Sequence, residues 1–244
     1  MRLLCLPHAG AGASTYHQLS AKLADTAEVL CAQYPGRQDR ISEPCPDTVE
    51  ALADGVYSAL SPHDTRPLTV FGHSMGALIG YEIVRRLEAE GRPVTALFAS
   101  ARQAPSQLSP PFGGLDPTFP TDAWILAKMG ELDGTDADIL GNAEALEFML
   151  PALRSDFRAV YSYARQPAAQ LRCRIVALVG DSDPDVSVAD ARAWRNETTG
   201  PFTLHVVPGG HFHLTDTPAT VADLLRGTLT AAGGGHVKES CDRG

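Results

Sequence analysis

The stretch LTVFGHSMGALIGYE, residues 68–82, constrains this chain more than any other part of it. A short β-rich apolar run, Leu68-Thr69-Val70-Phe71, leads through Gly72-His73-Ser74-Met75-Gly76 into a helical pattern that runs to about Glu90. The pentapeptide fits G-x-S-x-G, the nucleophile elbow, in which a strand turns sharply into a helix and leaves a serine at the apex in strained backbone. The glycines two before and two after Ser74 follow from crowding, because a side chain at either place would strike the neighbouring strand or helix. The turn also aims the free N–H groups of the new helix at the spot where an oxyanion would form. A bare G-x-S-x-G arises often by chance. Its place between a strand pattern and a helix pattern is what gives it weight.

Around this segment short apolar runs alternate with helical patterns. Residues 1–6 read as a buried strand, followed by the small-residue loop Pro7-His8-Ala9-Gly10-Ala11-Gly12-Ala13. Ser14 is placed to cap a helix over 15–24, with Tyr16, Leu19 and Leu23 on one face. A strand over 28–33 and the turn Tyr34-Pro35-Gly36-Arg37-Gln38-Asp39-Arg40 come next, and Asp47 is placed to cap a helix ending near Leu60. After the elbow, residues 94–100 form a further buried run. Such alternation predicts an α/β fold with a mostly parallel, doubly wound sheet and crossover helices.

The rhythm breaks after Ser100. Prolines crowd residues 105–120, and helical patterns over 121–129, 136–140 and 144–163 follow with no convincing strand. An insertion of this size in a parallel sheet reads as a lid or binding element, which divides the chain into a core of 1–102 and 171–230 and a helical lid of 103–170. The sheet resumes over 174–179, with a helix over 188–197, a strand over 202–207 and a last helix over 216–229. The glycine-rich tail 231–244 is expected to be disordered.

A serine nucleophile needs a base, and the base needs an acid to orient it. In α/β-hydrolases these follow in the chain order Ser, Asp or Glu, His. Downstream of Ser74, Gly180-Asp181-Ser182-Asp183-Pro184-Asp185 leaves one late strand and Gly209-Gly210-His211-Phe212-His213 leaves the last. Both loops leave the carboxyl edge of the sheet, where open α/β sheets place ligands. The candidate catalytic set is Ser74, Asp183 and His211. Asp181 and Asp185 compete as the acid and read as solvated or turn-capping residues, while His213 competes as the base. His73 and His205 read as structural. For the oxyanion hole the amide of Met75 is one donor and that of Ala9 the other, with His8 or Gly10 as alternatives.

Several of these segments together resemble the type II thioesterases, the stand-alone editing enzymes of polyketide and nonribosomal peptide synthesis. They are Leu6-Pro7-His8-Ala9-Gly10, Tyr34-Pro35-Gly36-Arg37, Gly72-His73-Ser74-Met75-Gly76-Ala77, Leu150-Pro151-Ala152-Leu153-Arg154-Ser155-Asp156-Phe157, Gly180-Asp181-Ser182-Asp183-Pro184 and Gly209-Gly210-His211-Phe212. The resemblance covers roughly residues 3–228. It implies the α/β-hydrolase fold, a triad at Ser74, Asp183 and His211, a mobile lid over 103–170, and hydrolysis of acyl groups from the phosphopantetheine arm of acyl or peptidyl carrier proteins. No cofactor is implied beyond the phosphopantetheine that the substrate carries. Gly10-Ala11-Gly12 departs from the Gly-Gly-Ser more common in the family, which touches the loop and not the triad.

Lid residues Phe112, Leu115, Phe119, Trp124, Ile125, Leu126, Met129, Phe148 and Met149 are candidates to line an acyl channel, although most are expected to pack the lid on the sheet. Carrier proteins are typically acidic, and this chain of 244 residues has a net charge of −9. Docking would therefore need a local basic patch, for which Arg37, Arg40, Arg85, Arg86, Arg102 and Arg154 are candidates. The same net charge argues against nucleic acid or an anionic membrane as partner. With no apolar run near membrane-span length and no signal peptide ahead of the first strand, a cytoplasmic protein is expected. Five cysteines without metal-like spacing point to reduced thiols, no disulfide and no metal site. The competing functions are a carboxylesterase or lipase acting on free esters, and a non-catalytic receptor of hydrolase fold.

Overall fold

The computed structural model describes residues 1–60, 64–109, 114–132, 143–167 and 169–233. Six strands, β1 (Arg2–Leu6), β2 (Glu28–Cys31), β3 (Leu68–His73), β4 (Val94–Ser100), β5 (Arg174–Gly180) and β6 (Phe202–Val207), form one sheet in the order β2-β1-β3-β4-β5-β6. Every pairing in it is parallel. The helices are α1 (His17–Leu23), α2 (Val49–Ala59), α3 (Met75–Ala89), α4 (Asp122–Glu131), α5 (Ala143–Ser162), α6 (Val188–Arg192), α7 (His213–Asp216) and α8 (Pro218–Gly233).

The central strands are almost wholly buried because both faces of the sheet are covered. Alternate side chains go to opposite layers. Leu4, Leu6, Val70, Leu97, Ile175 and Ala177 join the layer under α2 and α3. Leu3, Cys5, Phe71, Phe98, Val176 and Leu178 join the layer under α1 and α8. Helix α3 lies closest to the sheet, and Gly80 lets it approach Val70, Leu97 and Leu6.

Several boundaries differ from expectation for local reasons. The first helix opens as a 3-10 turn over Ala13–Tyr16 with no side-chain cap, since the Ser14 hydroxyl accepts a hydrogen bond from Gln38 instead. Thr48, not Asp47, caps α2, its hydroxyl accepting from the Ala51 amide at 3.2 Å. Strand β2 stops at Cys31, and two residues on the Gln33 side chain turns to the 37–39 turn, its Nε2 2.7 Å from Asp39 Oδ1. The last helix is divided because Pro218 has no N–H with which to continue α7. Among the described residues the segment between β4 and β5 contributes helices and no sheet strand. The helix expected over 136–140, Phe112 and most of the C-terminal tail lie outside the described residues.

The elbow is packed to its limit. A Cβ on Gly72 would stand 2.1 Å from the Gly76 carbonyl oxygen, and one on Gly76 would stand 2.0 Å from the Leu6 carbonyl oxygen. Both obstacles are backbone and cannot swing away. Gly76→Ala is expected to cost more than about 2 kcal/mol in chemical denaturation. Gly55→Ala, in the exposed middle of α2 with nothing within 4 Å, should instead stabilise by roughly 0.5–1 kcal/mol.

Candidate active site

Ser74 sits between β3 and α3 at φ 52°, ψ −116°, a left-handed conformation for a residue with a side chain. Its amide donates to the Ser100 carbonyl at 2.8 Å, which ties the apex to the end of β4. With its own backbone fixed, the side chain points away from the sheet edge. His211 Nε2 lies 3.0 Å from Ser74 Oγ. On the other side of the ring, His211 Nδ1 lies 3.0 Å from Asp183 Oδ2 and 3.1 Å from Oδ1. A carboxylate at Nδ1 makes that nitrogen the donor and leaves Nε2 as an acceptor for the Ser74 hydroxyl.

The loop after β5 holds Asp183 from behind. Its Oδ1 accepts from the amides of Asp185 at 2.9 Å and Val186 at 3.1 Å. Burial works against ionisation, but the hydrogen bond to His211 and these amides outweigh it and hold the carboxyl below the ordinary aspartate range. The two competing acids have other partners. Asp181 is exposed and accepts from the Gly209 amide at 3.1 Å, so it braces the histidine loop from outside. Asp185 pairs with Lys128 at 2.5 Å.

His213 is not the base. It is fully buried and belongs to a polar strut beneath the elbow. His213 Nδ1 faces the Gly210 carbonyl at 3.3 Å and Nε2 lies 3.0 Å from Ser100 Oγ, which in turn lies 3.0 Å from His73 Nδ1. A carbonyl accepts only from an N–H, so Nδ1 of His213 carries its proton, Ser100 donates to Nε2, and His73 donates to Ser100. The chain ties the loop of His211 to β3 and β4. Ser100 and His213 thus form a second serine–histidine contact, yet both are 0% exposed and no substrate reaches them. The rings of His8, His73, His211 and Phe212 pack edge-on or tilted around this strut with centroids 4.9–6.0 Å apart. His73 is structural, as expected. His205 lies on the edge strand β6.

The amide of Met75, the first residue of α3, has no acceptor within its helix. In the loop after β1, the Gly10 amide is already donated to Asp156 Oδ2 at 2.8 Å, which removes Gly10 from the candidate oxyanion donors. The Ala9 amide has no acceptor among the described residues.

Asp156 is the residue whose part in the site the sequence reading did not reveal. It lies on α5, is fully buried, and joins the Gly10 amide to the guanidinium of Arg37. Arg37 also donates to the Pro35 carbonyl at 3.1 Å. Two sequence segments 119 residues apart therefore meet as one ion pair under the loop that carries Ala9. This corrects the expectation that Arg37 belongs to a docking patch, since it is only 5% exposed. Of the other arginine candidates, Arg40 pairs with Glu43, Arg85 with Glu82, Arg86 with Asp54 and Arg154 with Asp122.

Ile125, Met129, Leu153 and Phe157 form a small cluster of their own, bordered by Trp124, Tyr161 and Ala9. Trp124 meets Phe119, Phe157 and Tyr161 edge-on at 4.9, 5.3 and 5.2 Å. Leu153 covers Gly10 so closely that a Cβ there would lie 2.5 Å from its Cδ2. The expected apolar wall thus borders the candidate oxyanion loop, whereas Phe148 is 69% exposed and takes no part in it.

The chain matches the thioesterase domain family over residues 1–229. It belongs to the thioesterase domain family. A probable cadicidin biosynthesis thioesterase of Streptomyces griseus is 46% identical over 88% of this chain, and the chain spans 58% of that relative's length. Thioesterase PikA5 of Streptomyces venezuelae is 44% identical over 88% of this chain and 76% of its own. Among solved structures, the type II thioesterase BorB from the borrelidin biosynthetic cluster superposes with a TM-score of 0.84 at 40% identity, over 93% of this chain and 92% of that one. The sheet and helices therefore follow the α/β-hydrolase fold of these thioesterases. Among the described residues no helix is long and apolar enough to cross a membrane, and no group of histidine, cysteine and acidic residues could hold a metal ion.

Two consequences are measurable. Asp156→Ala leaves the Arg37 charge buried and unpaired, so it should cost about 3–5 kcal/mol, and Asp156→Asn, which keeps an acceptor for Gly10, should cost less. The imidazoles of His8, His73 and His213 are pushed down by burial, His8 to about 3. A histidine whose folded value is depressed takes up its proton in the unfolded chain first, so each removes stability as pH falls below the unfolded value of about 6.5. Folding stability should then drop between pH 7 and pH 5, by up to about 1.4 kcal/mol per pH unit for each such histidine. A flat profile over that range in denaturant titrations would contradict the buried neutral strut.

Proposed function

We propose that this protein hydrolyses acyl thioesters presented on the phosphopantetheine arm of acyl or peptidyl carrier proteins, in polyketide or nonribosomal peptide biosynthesis, and that Ser74, His211 and Asp183 carry the reaction. The observation behind the reading is the unbroken chain of contacts from Asp183 through His211 to a serine held at the apex of a strained turn. The names of the relatives support the thioester as the bond attacked and secondary metabolism as the setting.

The steps follow from the geometry. His211 Nε2 accepts the Ser74 proton as Oγ attacks the thioester carbonyl. The negative charge that develops on the carbonyl oxygen falls to the amides of Met75 and Ala9, and losing one such donor typically costs about 3–4 kcal/mol. Collapse of the tetrahedral species breaks the C–S bond, and the imidazolium supplies the proton of the departing thiol. Water then enters and gives a proton to His211 as its oxygen attacks the acyl carbonyl; the C–Oγ bond breaks, the acid leaves, and the imidazolium returns the proton to Ser74 Oγ. Asp183 stays ionised throughout and holds the imidazole in the one tautomer that can do this.

In this reading α4, α5 and the segment before them form the lid over residues 103–170, and the cluster around Ile125, Trp124 and Phe157 meets the acyl chain. The enzyme needs no cofactor of its own and works in the cytoplasm, where its carrier partners are made.

Ser74→Ala should abolish hydrolysis and leave the melting temperature within a few degrees of wild type, because a small, part-exposed side chain contributes little to stability. Asp183→Asn should lower kcat by roughly 10⁴-fold through the wrong tautomer, while Asp181→Asn should change it far less. The decisive comparison is turnover of an acyl-carrier protein against a nitrophenyl ester of the same acid. A preference for the free ester would favour the carboxylesterase reading.

A further inference from the structure

Of the six arginines read as candidates for a carrier-docking patch, Arg102 alone has no carboxylate partner among the described residues. It follows β4 and the strained Ala101, whose φ is 50°. Its backbone is fixed, because the Trp194 indole N–H donates to the Arg102 carbonyl at 2.7 Å. Its guanidinium Nε is buried with no hydrogen-bond partner. A buried donor without an acceptor is costly, and a ligand in the adjoining cavity would complete it. Burial also pulls its pKa below the ordinary arginine value, only partly countered by Asp185 and Tyr161.

Arg102 lines a cavity of about 310 Å³ together with Gln103, Gln107, Ser109, Tyr161 and Asp185. Its carboxamides, hydroxyls and guanidinium supply several hydrogen-bond donors. Its one carboxylate, Asp185, is already engaged by Lys128 at 2.5 Å, which leaves the Arg102 guanidinium without a carboxylate partner of its own among the described residues. The residues of this wall from the Asp183 loop and from α5 also place it relative to the reaction. Tyr161 lies two turns along α5 from Leu153, which covers Gly10 beside the candidate oxyanion donor, a separation of about 12 Å at 1.5 Å per residue.

The geometry points to this cavity as the seat of the phosphate of the pantetheine arm. The inference rests on the thioesterase reading above and adds a recognition site to it. From thiol to phosphate the arm is roughly four peptide units long, about 14 Å when extended. A thioester carbonyl at Ser74 therefore leaves the phosphate within reach of Arg102, where a charge-assisted pair with a guanidinium fork is the strong form of phosphate recognition.

The test compares binding of 4′-phosphopantetheine and of pantetheine by calorimetry, in wild type, Arg102→Gln and Arg102→Lys, alongside KM for the same acyl group on each carrier. Wild type should bind the phosphorylated arm at least about tenfold more tightly. Arg102→Gln should bring that ratio close to one, and Arg102→Lys should restore part of it. Equal binding of the two arms by wild type would overturn the proposal without recourse to a variant, and so would an unchanged ratio in Arg102→Gln. A wild-type protein that prefers the phosphorylated arm but hydrolyses neither thioester would sink the hydrolase reading and leave the anion site standing.

Discussion

The structure depends on one close approach, that of Gly76 to the backbone of Leu6 and Pro7. It brings the first turn of α3 against the end of β1, because β3, which runs into α3, pairs with β1 in register, with Leu6 opposite Gly72. From that contact follow the left-handed apex at Ser74, the exposure of its hydroxyl, and the nearness of the Met75 amide to the loop that carries Ala9. The strained conformation costs of order 1–3 kcal/mol. The surrounding sheet offsets it through the Ser74 amide bond to Ser100 and through the packing of β3, buried at every residue.

Two separate supports hold the parts of the site that do not lie on the elbow. The strut of His73, Ser100 and His213 fixes the loop of His211 from below, and it works only while its imidazoles are neutral. The ion pair of Arg37 and Asp156 fixes the loop of Ala9 from the side. Because Asp156 belongs to α5, the helix that packs Leu153 over Gly10 also supplies the acceptor that orients the Gly10 amide. Packing over Gly10 and orienting its amide are thus tasks of one helix. Removal of α5 from its seat would disturb both together.

The strands at 94–100 and 202–207 stand where the apolar runs put them, since each is short and bounded by turn residues, although only the first is mostly buried and the second lies at the sheet edge. The elbow was legible because its glycines answer to sterics that any sequence must obey. Asp183 could be preferred over Asp181 and Asp185 from its place in the loop, although the hydrogen bonds that separate them are visible only in three dimensions. The role of Asp156 was not legible. A carboxylate within an amphipathic helix reads as a solvated residue, and nothing local reveals that Arg37 lies opposite it. The caps at Ser14 and Asp47 failed for a related reason, as Gln38 and Arg158 are long-range competitors for those side chains. Long-range polar pairing is the information that periodicity and local propensity do not carry.

The account stands on Ser74 being the one activated hydroxyl in the protein, with Ser100 confined to the buried strut. Reaction with a serine-directed phosphonate, followed by intact-mass measurement and peptide mapping, tests this most directly. A single adduct located on Ser74, and none in Asp183→Asn over the same time, is the predicted result. An adduct on Ser100 or another serine, or no adduct at all in the folded wild-type protein, would contradict it.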